Sequence, residues 1–226
     1  MKFEDATSGG EAATKRRYDD ACAAAHGMDL IGERWAMPVI RELLLGPRRF
    51  SDLKRTLGGI SANVLTQRLE GLEDAGILAR RKLPPPASVQ VYELTPWGYE
   101  AAPIFQALGR WAVRSPRHDP TRPFSPVSLM LSLRTMMSDD AAGDLEASIQ
   151  LDMNDEHFFW VRKAGEVGIG HGAIPAPDLT LRGTPSQIAG YVYAGAPLSS
   201  IGFDGDEQLA ARLPGLFPMP DKADAG

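Results

Sequence analysis

A single cysteine, Cys22, stands in 226 residues, which excludes an intramolecular disulfide framework and fits a reducing compartment. Long apolar runs are missing too: none approaches the roughly 18–20 residues that span a bilayer. The first twenty residues, MKFEDATSGGEAATKRRYDD, hold no hydrophobic signal core, so a cytoplasmic protein without membrane contact is expected. Catalytic and metal-binding patterns are equally scarce. His157 and His171 have no nucleophile nearby in sequence and no metal-ligand spacing, and Gly165 to Gly172 does not form a phosphate loop ahead of a helix. The sequence therefore calls for no enzyme, no metal and no cofactor.

What is present is an ordinary globular composition, 43% apolar and 23% charged, at a length that suits two domains of about 100–150 residues. The net charge of −5 hides an asymmetry, with residues 1–115 carrying +2 and residues 116–226 carrying −7. Within Arg48 to Lys82 the basic residues Arg48, Arg49, Lys54, Arg55, Arg68, Arg80, Arg81 and Lys82 outnumber the acidic ones by eight to four. A local basic surface of this kind is what phosphate binding requires.

The order of elements around that surface is specific. The run ACAAAHGMDLI predicts a helix to Ile31 stopped by Gly32, and a second helix runs from about Trp35 to Leu45, with Pro38 in its first turn. Ser51 is expected to cap a short helix from Asp52 to Leu57. Gly58-Gly59 makes a turn, and Ser61 caps a helix from Ala62 to Ala75 with Val64 or Leu65, Leu69 and Leu72 on its apolar side. Asn63, Thr66, Gln67 and Arg68 remain near its N-terminal exposed face, where amide, hydroxyl and guanidinium groups match base edges and phosphates. Ile77–Lys82 and Val89–Leu94 alternate as a hairpin around Pro84-Pro85-Pro86, with Arg80, Arg81 and Lys82 on the first strand. Thr95-Pro96 then opens a long helix to about Val113, kinked at Pro103.

In this order, Cys22, DLIGERW, RELLLGPRRFSDLKR, GISANVLTQRLEGLEDAGIL, the basic hairpin and LTPWG, residues 18–114 resemble the HxlR family of bacterial winged helix-turn-helix regulators. The resemblance implies a homodimer bound to double-stranded DNA, with Arg48, Arg49, Ser51, Lys54, Ser61, Asn63, Thr66, Gln67, Arg68, Arg80, Arg81 and Lys82 at the interface. It also implies that Cys22 occupies the place of a cysteine that in some members senses oxidants. The alanine-rich surroundings of Cys22 favour a packed structural thiol instead.

Residues 1–17 are expected to be a mobile arm, 115–126 a proline-rich linker and 221–226 a tail. Residues 127–220 read as an apolar helix, three meandering strands, a fourth strand, a helix opened by Thr184-Pro185, a short strand and a last helix. That order, with PDLTLRGTPSQIAGYVYAG and IGFDGDEQLAARLPGLF, resembles a sterol-carrier-protein-like α+β domain. The resemblance implies an apolar tunnel, with Met130, Leu133, Phe158, Trp160 and Tyr191 as candidate contacts for a small apolar ligand. Phe158, Phe159 and Trp160 are consecutive, so alternation sends at least one of them to the opposite sheet face. The expected fold is α+β in both halves, and the expected function is ligand-modulated DNA binding. A lipid carrier whose winged helix serves dimerisation, and a thiol-sensing regulator, are the alternatives.

Overall fold

The computed structural model describes residues 18–224, so the arm expected at 1–17 lies outside the described residues. Two clusters of buried apolar side chains organise the chain. The first is enclosed by α1 (Ala23–Ile31), α2 (Ala36–Leu43), α3 (Phe50–Thr56), α4 (Ala62–Asp74) and the hairpin β1 (Leu78–Lys82) and β2 (Gln90–Leu94). Val39, Ile40 and Leu43 of α2 meet Leu53 of α3 and Leu65, Leu69 and Leu72 of α4, all at 0–2% exposure. These positions recur every three or four residues, so each helix turns one apolar stripe inward.

Local signals set the ends of these helices. Ser61 accepts a hydrogen bond from the Val64 amide at 3.2 Å, as its position ahead of α4 predicts. Ser51 does not cap α3: the helix begins two residues earlier than expected, at Phe50, because Arg49 is already extended at its N-cap. Thr95 accepts from the Gly98 amide at 3.0 Å and donates to the Gly76 carbonyl at 2.8 Å, tying the end of the hairpin to the turn after α4. The long helix expected after Thr95 is two: α5 (Pro96–Tyr99) and α6 (Ala102–Ala112), separated ahead of Pro103, whose missing amide cannot continue the first ladder.

The second cluster lies between one face of a five-stranded sheet and helices α7 (Pro126–Met136), α9 (Pro185–Ala194) and α10 (Glu207–Leu216). The short α8 (Asp139–Ala142) precedes the sheet. Strands β3 (Ala147–Met153), β4 (Glu156–Lys163), β5 (Glu166–His171), β6 (Leu179–Arg182) and β7 (Gly202–Gly205) stand in the order β5-β4-β3-β6-β7. Only β3 and β6 run parallel. Phe158 and Trp160 point into the core at 0% and 1% exposure, whereas Phe159 lies on the other face with its ring over Gly170, where a larger residue would collide with it.

The proline-rich segment after α6 does not separate the halves. Glu42 of α2, 2% exposed, accepts from the Ser125 hydroxyl at 2.7 Å, and Arg110 of α6 donates to the Thr135 carbonyl of α7 at 2.8 Å. The C-terminal segment returns to the end of α6, where Lys222 Nζ donates to the Val113 carbonyl at 2.9 Å. No described helix is long and apolar enough to cross a membrane.

Candidate nucleic-acid interface

Helix α4 buries Leu65, Leu69 and Leu72 and exposes Asn63, Thr66 and Gln67. The exposed three are at i, i+3 and i+4, so they share one face of the helix, near its N-terminus. The fixed partner geometry of the leucines on α2 and α3 holds that face outward. It offers two amides and a hydroxyl, which together can donate to and accept from base edges.

The charged residues around this face divide into two groups. Arg49, Lys54 and Lys82 form no ion pair among the described residues, and Arg49 and Lys82 are exposed. The others are engaged within the molecule. Arg68 turns away from the exposed face of α4 to Glu33, leaving its Nε buried without a hydrogen-bond acceptor. Arg80 donates to Glu73 at 2.8 Å and lies over the Tyr92 ring, 5.8 Å from its centroid. Arg81 pairs with Glu93 across the hairpin at 2.8 Å. The run Arg80-Arg81-Lys82 is therefore partly neutralised by acids on neighbouring elements, which sequence proximity alone does not reveal.

Arg48 is placed furthest from its expected role. Its backbone exchanges hydrogen bonds with Tyr92 at 3.0 and 2.8 Å, adding a third strand position to the hairpin. Its guanidinium pairs with Glu156, at the start of β4, and His171 approaches the same carboxylate at 3.1 Å. Burial raises the Glu156 pKa, but the guanidinium and the imidazole outweigh it and hold the carboxyl below its ordinary value.

Cys22 is not packed. It is exposed at the N-cap of α1, where the backbone amides of Ala25 and Ala24 lower the thiol pKa. Alanine-rich sequence suggested burial, but α1 buries none of its residues in the described chain. A thiolate at a helix N-terminus is stabilised by the same unsatisfied N–H groups that bind other anions.

The five candidate ligand contacts all lie in the second core: Met130 at 0%, Leu133 at 4%, Phe158 at 0%, Trp160 at 1% and Tyr191 at 5% exposure. In place of the expected tunnel, the described residues around these side chains leave a small void. A void of about 10 Å³ is lined by Leu133, Ile149, Leu151, Trp160, Leu181, Ile188, Val192, Leu213 and Phe217. That is about the room one water needs, and apolar walls give a water nothing to bond. Of the five, only Leu133 and Trp160 line it. The Tyr191 hydroxyl is spent on the Ala210 carbonyl, joining α9 to α10.

Residues 30–119 match the HxlR-like helix-turn-helix family. The uncharacterized HTH-type transcriptional regulator YvaP of Bacillus subtilis (strain 168) is 34% identical over 85 residues, 38% of this chain and 79% of that protein. YodB of the same organism, also an HTH-type transcriptional regulator, is 36% identical over 83 residues, 37% of this chain and 74% of that protein. The solved structure of reduced YodB shares 31% identity over 44% of this chain and all of that chain, with a TM-score of 0.40. The chain belongs to the HxlR-like helix-turn-helix family. The similarity to these relatives covers less than half of the chain, so the second core lies largely beyond it.

Proposed function

We propose that the chain is a sequence-specific DNA-binding transcriptional regulator that acts as a homodimer. The observation that carries this reading is the exposed triplet Asn63, Thr66 and Gln67 on one face of α4, backed by buried leucines, in a chain segment whose Arg49, Lys54 and Lys82 form no ion pair among the described residues. Recognition helices of helix-turn-helix proteins present side chains of this kind to the major groove, while the surrounding cations hold phosphates. A second copy is supported by α6, which buries none of its residues among those described and exposes Ile104, Leu108 and Trp111 at 50%, 44% and 74%. An apolar helix face left in water favours a partner.

The second half serves, in this reading, as a sterol-carrier-protein-like domain that takes a small apolar ligand and transmits its occupancy through α7 to α2 and α6. Support comes from the single-sided layering of α7, α9 and α10 on the sheet and from the apolar void beneath them. A void of about 10 Å³ is too small for a ligand, so uptake parts those helices. A second reading makes Cys22 the sensor, favoured by its exposure and lowered pKa.

The test is binding of the purified protein to fragments from its own upstream region against unrelated duplexes, across a salt series. Sequence preference that falls in Gln67→Ala supports the regulator. Ligand uptake without preference for any duplex would favour the lipid carrier whose winged helix serves dimerisation.

A further inference from the structure

Strand β4 turns Phe158, Trp160 and Arg162 to the helix-covered face at alternate positions, with exposures of 0%, 1% and 4%. A guanidinium in that row is unusual, because it cannot shed its proton and its burial is costly without a matching charge. One nitrogen is fully used: Arg162 Nη1 donates to the carbonyls of Gly143 at 2.9 Å and Leu145 at 2.7 Å. Those two bonds fix the plane of the group.

The opposite edge, Nε and Nη2, is the one that grips a carboxylate with two parallel bonds. Here Nη2 meets only Asp139 Oδ1 at 3.4 Å, and the Asp139 side chain is 79% exposed, where water screens it. Arg162 Nε has no acceptor among the described residues. Neither has the indole Nε1 of Trp160, two residues earlier on the same face. Buried indole N–H groups ordinarily find one. Trp160 also forms part of the wall of the apolar void. Two orphaned donors and a buried, weakly paired cation thus stand two residues apart on one face of β4, and of the two residues Trp160 alone lines the apolar void.

We infer that this core is the site of a small amphipathic monocarboxylate, an inference that rests on the ligand-responsive reading of the second half and narrows it. The carboxylate takes the Nε/Nη2 edge of Arg162, and Trp160 Nε1 supplies a further donor. The apolar body enlarges the void by moving Leu133, Ile188, Val192, Leu213 and Phe217 apart. Leu133 belongs to α7, and α7 is bonded to α2 through Ser125 and Glu42 and to α6 through Thr135 and Arg110. Displacing α7 therefore acts directly on the helices that carry the helix-turn-helix and the exposed apolar face.

The test compares octanoate with octan-1-ol, equal in chain and different in charge, by calorimetric titration and thermal unfolding of the full chain. Octanoate is expected to bind at least tenfold more tightly and to raise the Tm. Arg162→Gln should abolish the preference, and Trp160→Phe, which keeps an aromatic side chain and removes the N–H, should reduce octanoate affinity several-fold. If Arg162→Gln does not fold, the comparison on the unaltered chain and on Trp160→Phe decides. Equal binding of the two probes would overturn the carboxylate site while leaving an apolar-ligand domain. Binding of neither would overturn both, without touching the DNA-binding reading, which the duplex assay judges separately.

Discussion

Arg48 and Glu156, 108 positions apart in sequence, form an ion pair that joins the segment before α3 to the sheet of the second core. His171 shares the Glu156 carboxylate, so three elements converge on one negative charge. A residue that sequence proximity assigned to DNA is thereby used to hold the two halves together.

Arg48→Ala is expected to lower stability by about 1–2 kcal/mol, the scale of a charge-assisted hydrogen bond that is not fully buried. Its effect on the salt dependence of DNA binding should be small. Urea unfolding alongside duplex titrations separates the two, and a loss of one unit in salt slope with unchanged stability would return Arg48 to the DNA surface.

Acidification should loosen the same joint. The folded-state pKa of Glu156 is depressed, with burial raising it and Arg48 and His171 overriding that effect. A depressed carboxyl contributes stability above its unfolded pKa and loses it as pH falls through the lower folded value. The urea midpoint should therefore decline on the acid side of the ordinary carboxylate range, and the decline should be shallower in Glu156→Gln.

On α4, Gln67→Ala and Asn63→Ala should each cost about 1–3 kcal/mol of preference for the cognate duplex, the worth of a good base-edge contact. Arg49→Ala and Lys82→Ala should weaken all duplexes alike and reduce the salt slope by about one each. Competition binding at several salt concentrations reads both effects.

Charge placed on the α6 face tests the second copy. Leu108→Glu combined with Trp111→Glu should convert a dimer into a monomer by light scattering while leaving the circular dichroism unchanged, because neither side chain is buried within the chain. A dimer that survives would place the interface elsewhere.

For Cys22, alkylation by iodoacetamide should proceed with a pH midpoint below that of a free thiol, since the Ala25 and Ala24 amides favour the thiolate. Mass spectrometry of the modified chain follows the rate. A midpoint at or above the free-thiol value would remove the electronic basis for a sensor role.

Much of this molecule follows from local pattern. Leu65, Leu69 and Leu72 repeat at helical spacing, Ser61 and Thr95 sit where orphaned amides need an acceptor, and Thr184 with Gln187 forms the reciprocal cap of α9. These interactions span three or four residues, so the sequence by itself determined most of the helices and the exposed amide face of α4, but not the break between α5 and α6 or the short α8. Helix ends set by competition were less legible: α3 starts at Phe50 because extended Arg49 precedes it, and Ser51 is drawn inside the helix.

Partners distant in sequence were decided only by the tertiary structure. Arg68 finds Glu33, Arg81 finds Glu93, Arg48 finds Glu156, and Arg162 is left with carbonyls and one screened acid. Charge counted along the chain made Arg48 to Lys82 a basic surface, whereas folding spends several of those cations internally and leaves Arg49, Lys54 and Lys82 without ion pairs among the described residues. The physical reason is range: a cap or an apolar stripe is settled within a turn or two. The field at a cation depends on which acids the packed core brings within a few ångströms.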